Sequence, residues 1–199
     1  MEALALSFSS GWASGVNAYL VVLVLGLGER LGGADVPEVL GRWEVLAAAA
    51  FMYSFEFVAD KIPYVDSAWD AISTVIRPTA GAVVGLLVAG DADSLTQALN
   101  ASVGGTTALA SHVVKAGGRL AINSSPEPAS NIVASVAEDV AVLAVVAFAI
   151  NHPVVAASIA AVLLLVGLVV VWFAFKLVRR GWRRVRDRRS RGRAAGAAP

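Results

Sequence analysis

Glu138 and Asp139 stand side by side inside the otherwise apolar run 130–150, which is long enough to cross a bilayer. A carboxylate at that depth is costly unless it faces protein, water or a counter-ion, so paired acids there mark a site for binding, ion passage or proton relay. Glu56 and Asp60 repeat the theme one helical turn apart, at the end of the apolar run 45–59 and just before Lys61. Two such carboxylates repel one another unless Lys61 or Arg77 is close, the coupling that proton-linked sites use. Next, Asp66, Asp70, Ser73 and Arg77 follow helical spacing on one face, with Trp69, Ile72 and Ile76 on the other. His112, Lys115 and Arg119 fall at i, i+3 and i+7, a cationic stripe that is the natural counterpart of Glu56, Asp60 or Glu138. In the run 130–150, Asn131, Ser135 and Glu138 share a face, with Asp139 one step round.

Each group has a plainer reading. Residues 66–77 could form an interfacial amphipathic helix that ends at Pro78 and leaves Asp70 and Arg77 solvated. Lys115 and Arg119 could snorkel to a headgroup layer with His112 merely hydrogen-bonded, and Glu138 could be half of a structural ion pair between helices. Catalytic chemistry has little to stand on. Cysteine is absent, which removes disulfides and thiolate sites, and His112 and His152 are too few for a histidine-rich metal centre. Phosphate-loop, dinucleotide and zinc-protease signatures are missing. Ser125 and Ser130 beside Glu127 are the only hints of a nucleophile, without a convincing base. The expectation is no catalytic residue, no metal and no cofactor.

The elements that must position these residues are membrane spans. Of 199 residues 57% are hydrophobic and 16% charged, too apolar for a soluble domain, in which about 25% charge is usual. We read an all-α polytopic bundle of six spans, 5–27, 44–60, 72–89, 95–114, 130–150 and 154–178, forming a transmembrane domain over 1–178. A basic, disordered cytoplasmic tail follows over 179–199. The first span lacks a basic n-region, so it is retained rather than cleaved. Turns fall at 32–37, 90–93 and 151–153. Pro78 leaves only a short apolar stretch in the third span, which predicts a broken or re-entrant helix there. A second proline-marked break at Ser124-Ser125-Pro126-Glu127-Pro128 hints at a weak inverted repeat. Gly11/Gly15 and Gly81/Gly85 are GxxxG pairs suited to close helix packing, while Ser14-Gly15-Val16-Asn17 could instead unwind and expose carbonyls to an ion.

Charge sets the expected orientation. Ten of the sixteen basic residues lie between Lys176 and Arg193, leaving six against fourteen acids before them. Beside a span, such a run reads as a cytoplasmic anchor for anionic lipid headgroups rather than a nucleic-acid site. Six spans then place both termini in the cytoplasm with Lys61, Arg77, Lys115 and Arg119. Arg30 and Arg42 fall outside, where Glu29, Asp35, Glu38 and Glu44 can pair with them.

The stretch Glu56-Phe-Val-Ala-Asp-Lys-Ile-Pro-Tyr-Val-Asp-Ser-Ala-Trp-Asp70, with Ile76-Arg-Pro-Thr-Ala-Gly81, resembles a bacterial membrane family called domain of unknown function 4126. Ser14-Gly-Val-Asn-Ala-Tyr19, Ser125-Pro-Glu-Pro-Ala-Ser-Asn131 and Ala137-Glu-Asp139 look like further blocks of it, so the resemblance covers roughly 7 to 153. It implies a bacterial inner-membrane protein and carries no activity. The alanine- and arginine-rich tail, outside the match, resembles that of a high-GC actinobacterial protein. From the residues themselves we expect a polar intramembrane site that binds or transports a small solute or ion, in a lipid-embedded protein that can self-associate. A non-transporting scaffold or lipid-binding protein with structural charges is the alternative, and an intramembrane enzyme acting on lipid headgroups a third.

Overall fold

The computed structural model describes residues 1–32, 36–62, 64–123 and 128–195, with the backbone alone at 128, 178 and 181–195. The expected turn around Asp35 and the break at 124–127, with Ser125 and Glu127, therefore lie outside the described residues. The chain folds as an all-α bundle of α1 (Glu2–Arg30), a short 3-10 turn (Glu38–Gly41), α2 (Trp43–Ala59), α3 (Val65–Ala89), α4 (Ser94–Asn123), α5 (Pro128–Asn151) and α6 (Pro153–Ala195). Asp93 caps α4, accepting from the Leu95 and Thr96 amides and the Thr96 hydroxyl. The Thr96 hydroxyl, foremost among these donors, holds the Asp93 carboxyl below the usual aspartate range.

The polarity of the bundle is inverted. α3 buries Asp66, Asp70, Ser73 and Arg77, and α4 buries Asn100, Thr107, Ser111, His112, Lys115 and Arg119. Their apolar side chains point outward: Val75 is 73% exposed and Val113 52%. Water would punish that arrangement, whereas hydrocarbon solvates the apolar exterior and forces polar groups to find partners inside. Four helices, α1, α3, α5 and α6, are long and apolar enough to cross a membrane. α2 falls just short, its 17 residues making about 26 Å. α4 is less apolar because so much of one face serves the interior.

α4 is gripped by small residues from two sides. A Cβ at Gly11 of α1 would lie 2.5 Å from the Gly104 carbonyl oxygen, and one at Gly81 of α3 would lie 2.7 Å from the same atom. Gly15 abuts the Ala108 carbonyl and the Ser111 hydroxyl, and Gly85 the Asn100 carbonyl. Glycine is required there because backbone meets backbone with no space for a side chain.

α1 does not run straight. Its two helical halves, 2–16 and 18–30, meet at Asn17, whose φ of −151° and ψ of 96° leave the helical region. Before that point, Leu6 packs with Ala149, Ala156 and Val88, and the Ser7 hydroxyl donates to Asn100 Oδ1 at 2.8 Å. Those partners lie at the ends of α3 and α5 and the starts of α4 and α6. After it, Leu25 shares a core with Leu40, Val84 and Leu87, and Gly26 abuts the Leu40 carbonyl and Leu46 near the start of α2. Val36, just past α1, packs against both groups. Successive helices from α2 to α6 alternate in direction, so all of these partners sit at one end of the bundle. Both ends of α1 are there too, and only its tip at 14–17 reaches the interior. Each half is about 20 Å long, short of a hydrocarbon core of about 30 Å.

One expectation is corrected accordingly. The re-entrant element is the first helix and not the third, for α3 continues through Pro78 to Ala89. The proline forfeits one backbone bond, but Arg77–His112 and Gly81–Gly104 contacts hold α3 against α4 on either side of it. Because α1 doubles back, it enters and leaves at one end of the bundle, where α2, α4 and α6 also begin and α3 and α5 end. The backbone of α6 is helical to Ala195, in keeping with the strong helix propensity of arginine and alanine.

Candidate functional site: a buried charge network

The polar faces of α2, α3, α4 and α5 converge around the tip of α1. Arg77, 1% exposed, donates to Glu56 at 2.6 Å and to Asp70 at 3.0 Å, joining α2 to α3. It also donates to His112 Nδ1 at 2.8 Å, and more loosely to the Gly15 carbonyl at 3.4 Å. An arginine only donates, so His112 Nδ1 accepts and its Nε2–H is left to donate to Thr74 Oγ1 at 3.0 Å. The Thr74 hydroxyl passes its own hydrogen to the Asp70 carbonyl. His112 is thus a neutral relay between Arg77 and α3.

One turn further along α4, Lys115 pairs with Asp60 in a short contact, with Glu56 at 3.6 Å and with Glu138 at 3.7 Å. It donates as well to the Val16 carbonyl at 3.0 Å. Arg119 binds Glu138 at 2.6 Å, Asn131 Oδ1 at 2.7 Å and the Asp60 carbonyl at 2.8 Å, with the Asp60 and Asp66 carboxylates each 3.8 Å away. Asn123 Nδ2 ties Asp66 and Ser67 to the end of α4. Lys61 stands at the rim, donating to Ser135 at 3.3 Å and to the Phe57 carbonyl. The stripe of α4 therefore does not snorkel, and Asp70 and Arg77 are not solvated, since their charges compensate one another within the protein.

At the α1 tip the unwound carbonyls receive fixed donors: Ser111 to Trp12 at 2.7 Å, Arg77 to Gly15 and Lys115 to Val16. Asn17 does two jobs. Its Oδ1 accepts from the Leu20 amide at 3.0 Å, capping the second half-helix, and its Nδ2 donates to Asp139 at 3.0 Å. Asn17 was not among the candidate site residues, although a polar side chain in the middle of an apolar run was the signal available. His152 lies apart, its ring against Phe148.

Six carboxylates, Glu56, Asp60, Asp66, Asp70, Glu138 and Asp139, thus face three buried cations, Arg77, Lys115 and Arg119. Glu56 Oε2, Asp60 Oδ1, Asp70 Oδ2 and Asp139 Oδ2 are buried without a hydrogen-bond partner. Among the described residues no group of acids and histidines is disposed to hold a metal ion. Glu138 is the most open of the six, its side chain 26% exposed. It borders a crevice of about 260 Å³ between α1, α4, α5 and α6, with Lys115 and Ser111 on the polar side and Trp12, Val114 and Leu163 on the apolar side. Toward the end holding both ends of α1, the network gives way to an apolar core of Leu20, Val21, Leu25, Val84, Val142 and Val146.

An apolar exterior around compensated buried charge defines a polytopic α-helical integral membrane protein. A family model described as Domain of unknown function (DUF4126) matches residues 4–173, and the chain belongs to that family. No curated protein and no solved structure matches it.

Proposed function

We propose that the network is an intramembrane site that binds or conducts a small solute or ion in a bacterial inner membrane. The observation that supports it is the surplus of carboxylates over buried cations together with their unpartnered oxygens, because uncompensated charge at that depth calls for a mobile positive partner. The apolar core closes the network toward one end, and Glu138 leaves it partly open to the crevice beside α6. The end opposite that core carries Lys61 and leads to the basic tail, so it faces the cytoplasm, while the acidic 90–93 turn and the N-terminus face outward. The reading is tested in proteoliposomes carrying dyes for proton, sodium or potassium ions. Glu138→Gln keeps the side-chain size and should abolish flux while leaving folded yield near native. Full flux in a stable Glu138→Gln protein would reject the assignment. A second reading, a scaffold with structural charges, is favoured by the pairing of each buried cation with at least two carboxylates. It predicts the opposite phenotype, poor yield without any flux to lose.

A further inference from the structure

We propose that Asp139 is the proton-binding carboxylate of this network and that its charge state holds the re-entrant tip of α1 in place through Asn17. This rests on reading the network as a binding site and goes beyond it by naming the ion and its carrier.

The six carboxylates are not equivalent. Glu56, Asp60, Asp66, Asp70 and Glu138 each lie within 4 Å of at least one arginine or lysine nitrogen. Asp139 pairs with no cation among the described residues, and it is 9% exposed with Oδ2 buried and unpartnered. A lone carboxylate in such a place can offset the cost of its burial by taking up a proton, whereas each of its neighbours has a cation within reach.

The groups around Asp139 come from several elements. They are Asn17 from α1, Tyr53 from α2, Asp60 and Lys61 beyond the end of α2, Lys115 from α4 and, on its own helix, Ser135 and Glu138. Lys61 is held on Ser135, one turn nearer the start of α5, so a rim ammonium and a hydroxyl lie on the tail side of Asp139. The direct hydrogen bond is the one from Asn17 Nδ2. The same amide caps the 18–30 half of α1 through its Oδ1, so a chain of two hydrogen bonds links the Asp139 charge to the backbone of the second half-helix. An ionised Asp139 also faces the positive end of that half-helix. Protonation removes the charge from both interactions, and the tip loses its only anionic anchor among the described residues.

Two readouts test this without any flux. Infrared difference spectra of the protein in nanodiscs, taken between about pH 5 and about pH 9, should show a carboxylic acid band on acidification. Asp139→Asn should remove that band and Glu138→Gln should retain it. Spin labels at Tyr19→Cys and Leu143→Cys, in a chain with no native cysteine, should report a distance that shifts over the same range. The population ratio should change about tenfold for each unit by which the proton affinity of Asp139 differs between the two tip positions. Asp139→Asn should fix the distance at its acidic value. Should that variant fail to fold, Asn17→Ala should keep the band and lose the shift. A band that survives Asp139→Asn, or a shift that survives Asn17→Ala, overturns the proposal. Loss of the transport reading alone would leave both signals intact.

Discussion

Arg77 is the residue on which most of the interior depends. Buried in the middle of α3, it compensates Glu56 and Asp70 at once and reaches His112 and the α1 tip. Neutralising it strands two carboxylates in low dielectric. Arg77→Gln should therefore lower stability by about 3–5 kcal/mol, visible as a reduced melting temperature in detergent, and adding Glu56→Gln should recover part of the loss. A melting temperature unchanged by Arg77→Gln would mean the network carries no structural weight. That these residues belong together was legible from their types and spacing, because charge inside apolar runs has few alternatives to meeting other charge. Which acid meets which base was not legible. Glu138 chooses Arg119 over Lys115 as its closest partner by helix rotation and crossing geometry, and single-helix periodicity contains neither.

At the level of helices, contact is set by where side chains are absent. Gly104 lies against the Gly81 carbonyl on one side and receives Gly11 on the other, so Gly104→Leu should push α1 and α3 off α4 and give little folded protein. Gly118, also within α4, has nothing within 4 Å of its would-be Cβ. Gly118→Ala should be tolerated and stabilise by about 1 kcal/mol through helix propensity. Melting curves for the two variants decide whether packing or propensity dominates. The helices themselves were readable from hydropathy, but the sequence offered two places for a break, Pro78 and the stretch 14–17, and could not choose the second. Proline is a conspicuous signal, and α3 absorbs Pro78 because neighbouring packing secures both flanks. Asn17 is an inconspicuous one, and it ends a helix only because Asp139 and the Leu20 amide are there to take its amide group.

For the whole molecule, the doubling back of α1 predicts an N-terminus on the side of the membrane opposite to the tail. Reporter fusions at Met1 and Pro199 should give signals on opposite sides of the membrane, with the Pro199 fusion inside. Two cytoplasmic signals would mean that α1 spans. Composition could not reveal this, since the total apolar length of 2–30 suffices for a crossing and only the backbone at one residue denies it.

The same feature governs how the molecule is put together. α1 precedes α4 and α5 in the chain, yet Ser7, Gly11, Gly15, Val16 and Asn17 find their partners on those later helices. Neither half of α1 is long enough to be held by lipid as a crossing of its own. An earlier segment is thus seated only after later ones exist, and the polar interior is sealed by a piece that must wait at the membrane surface until its binding groove has been built.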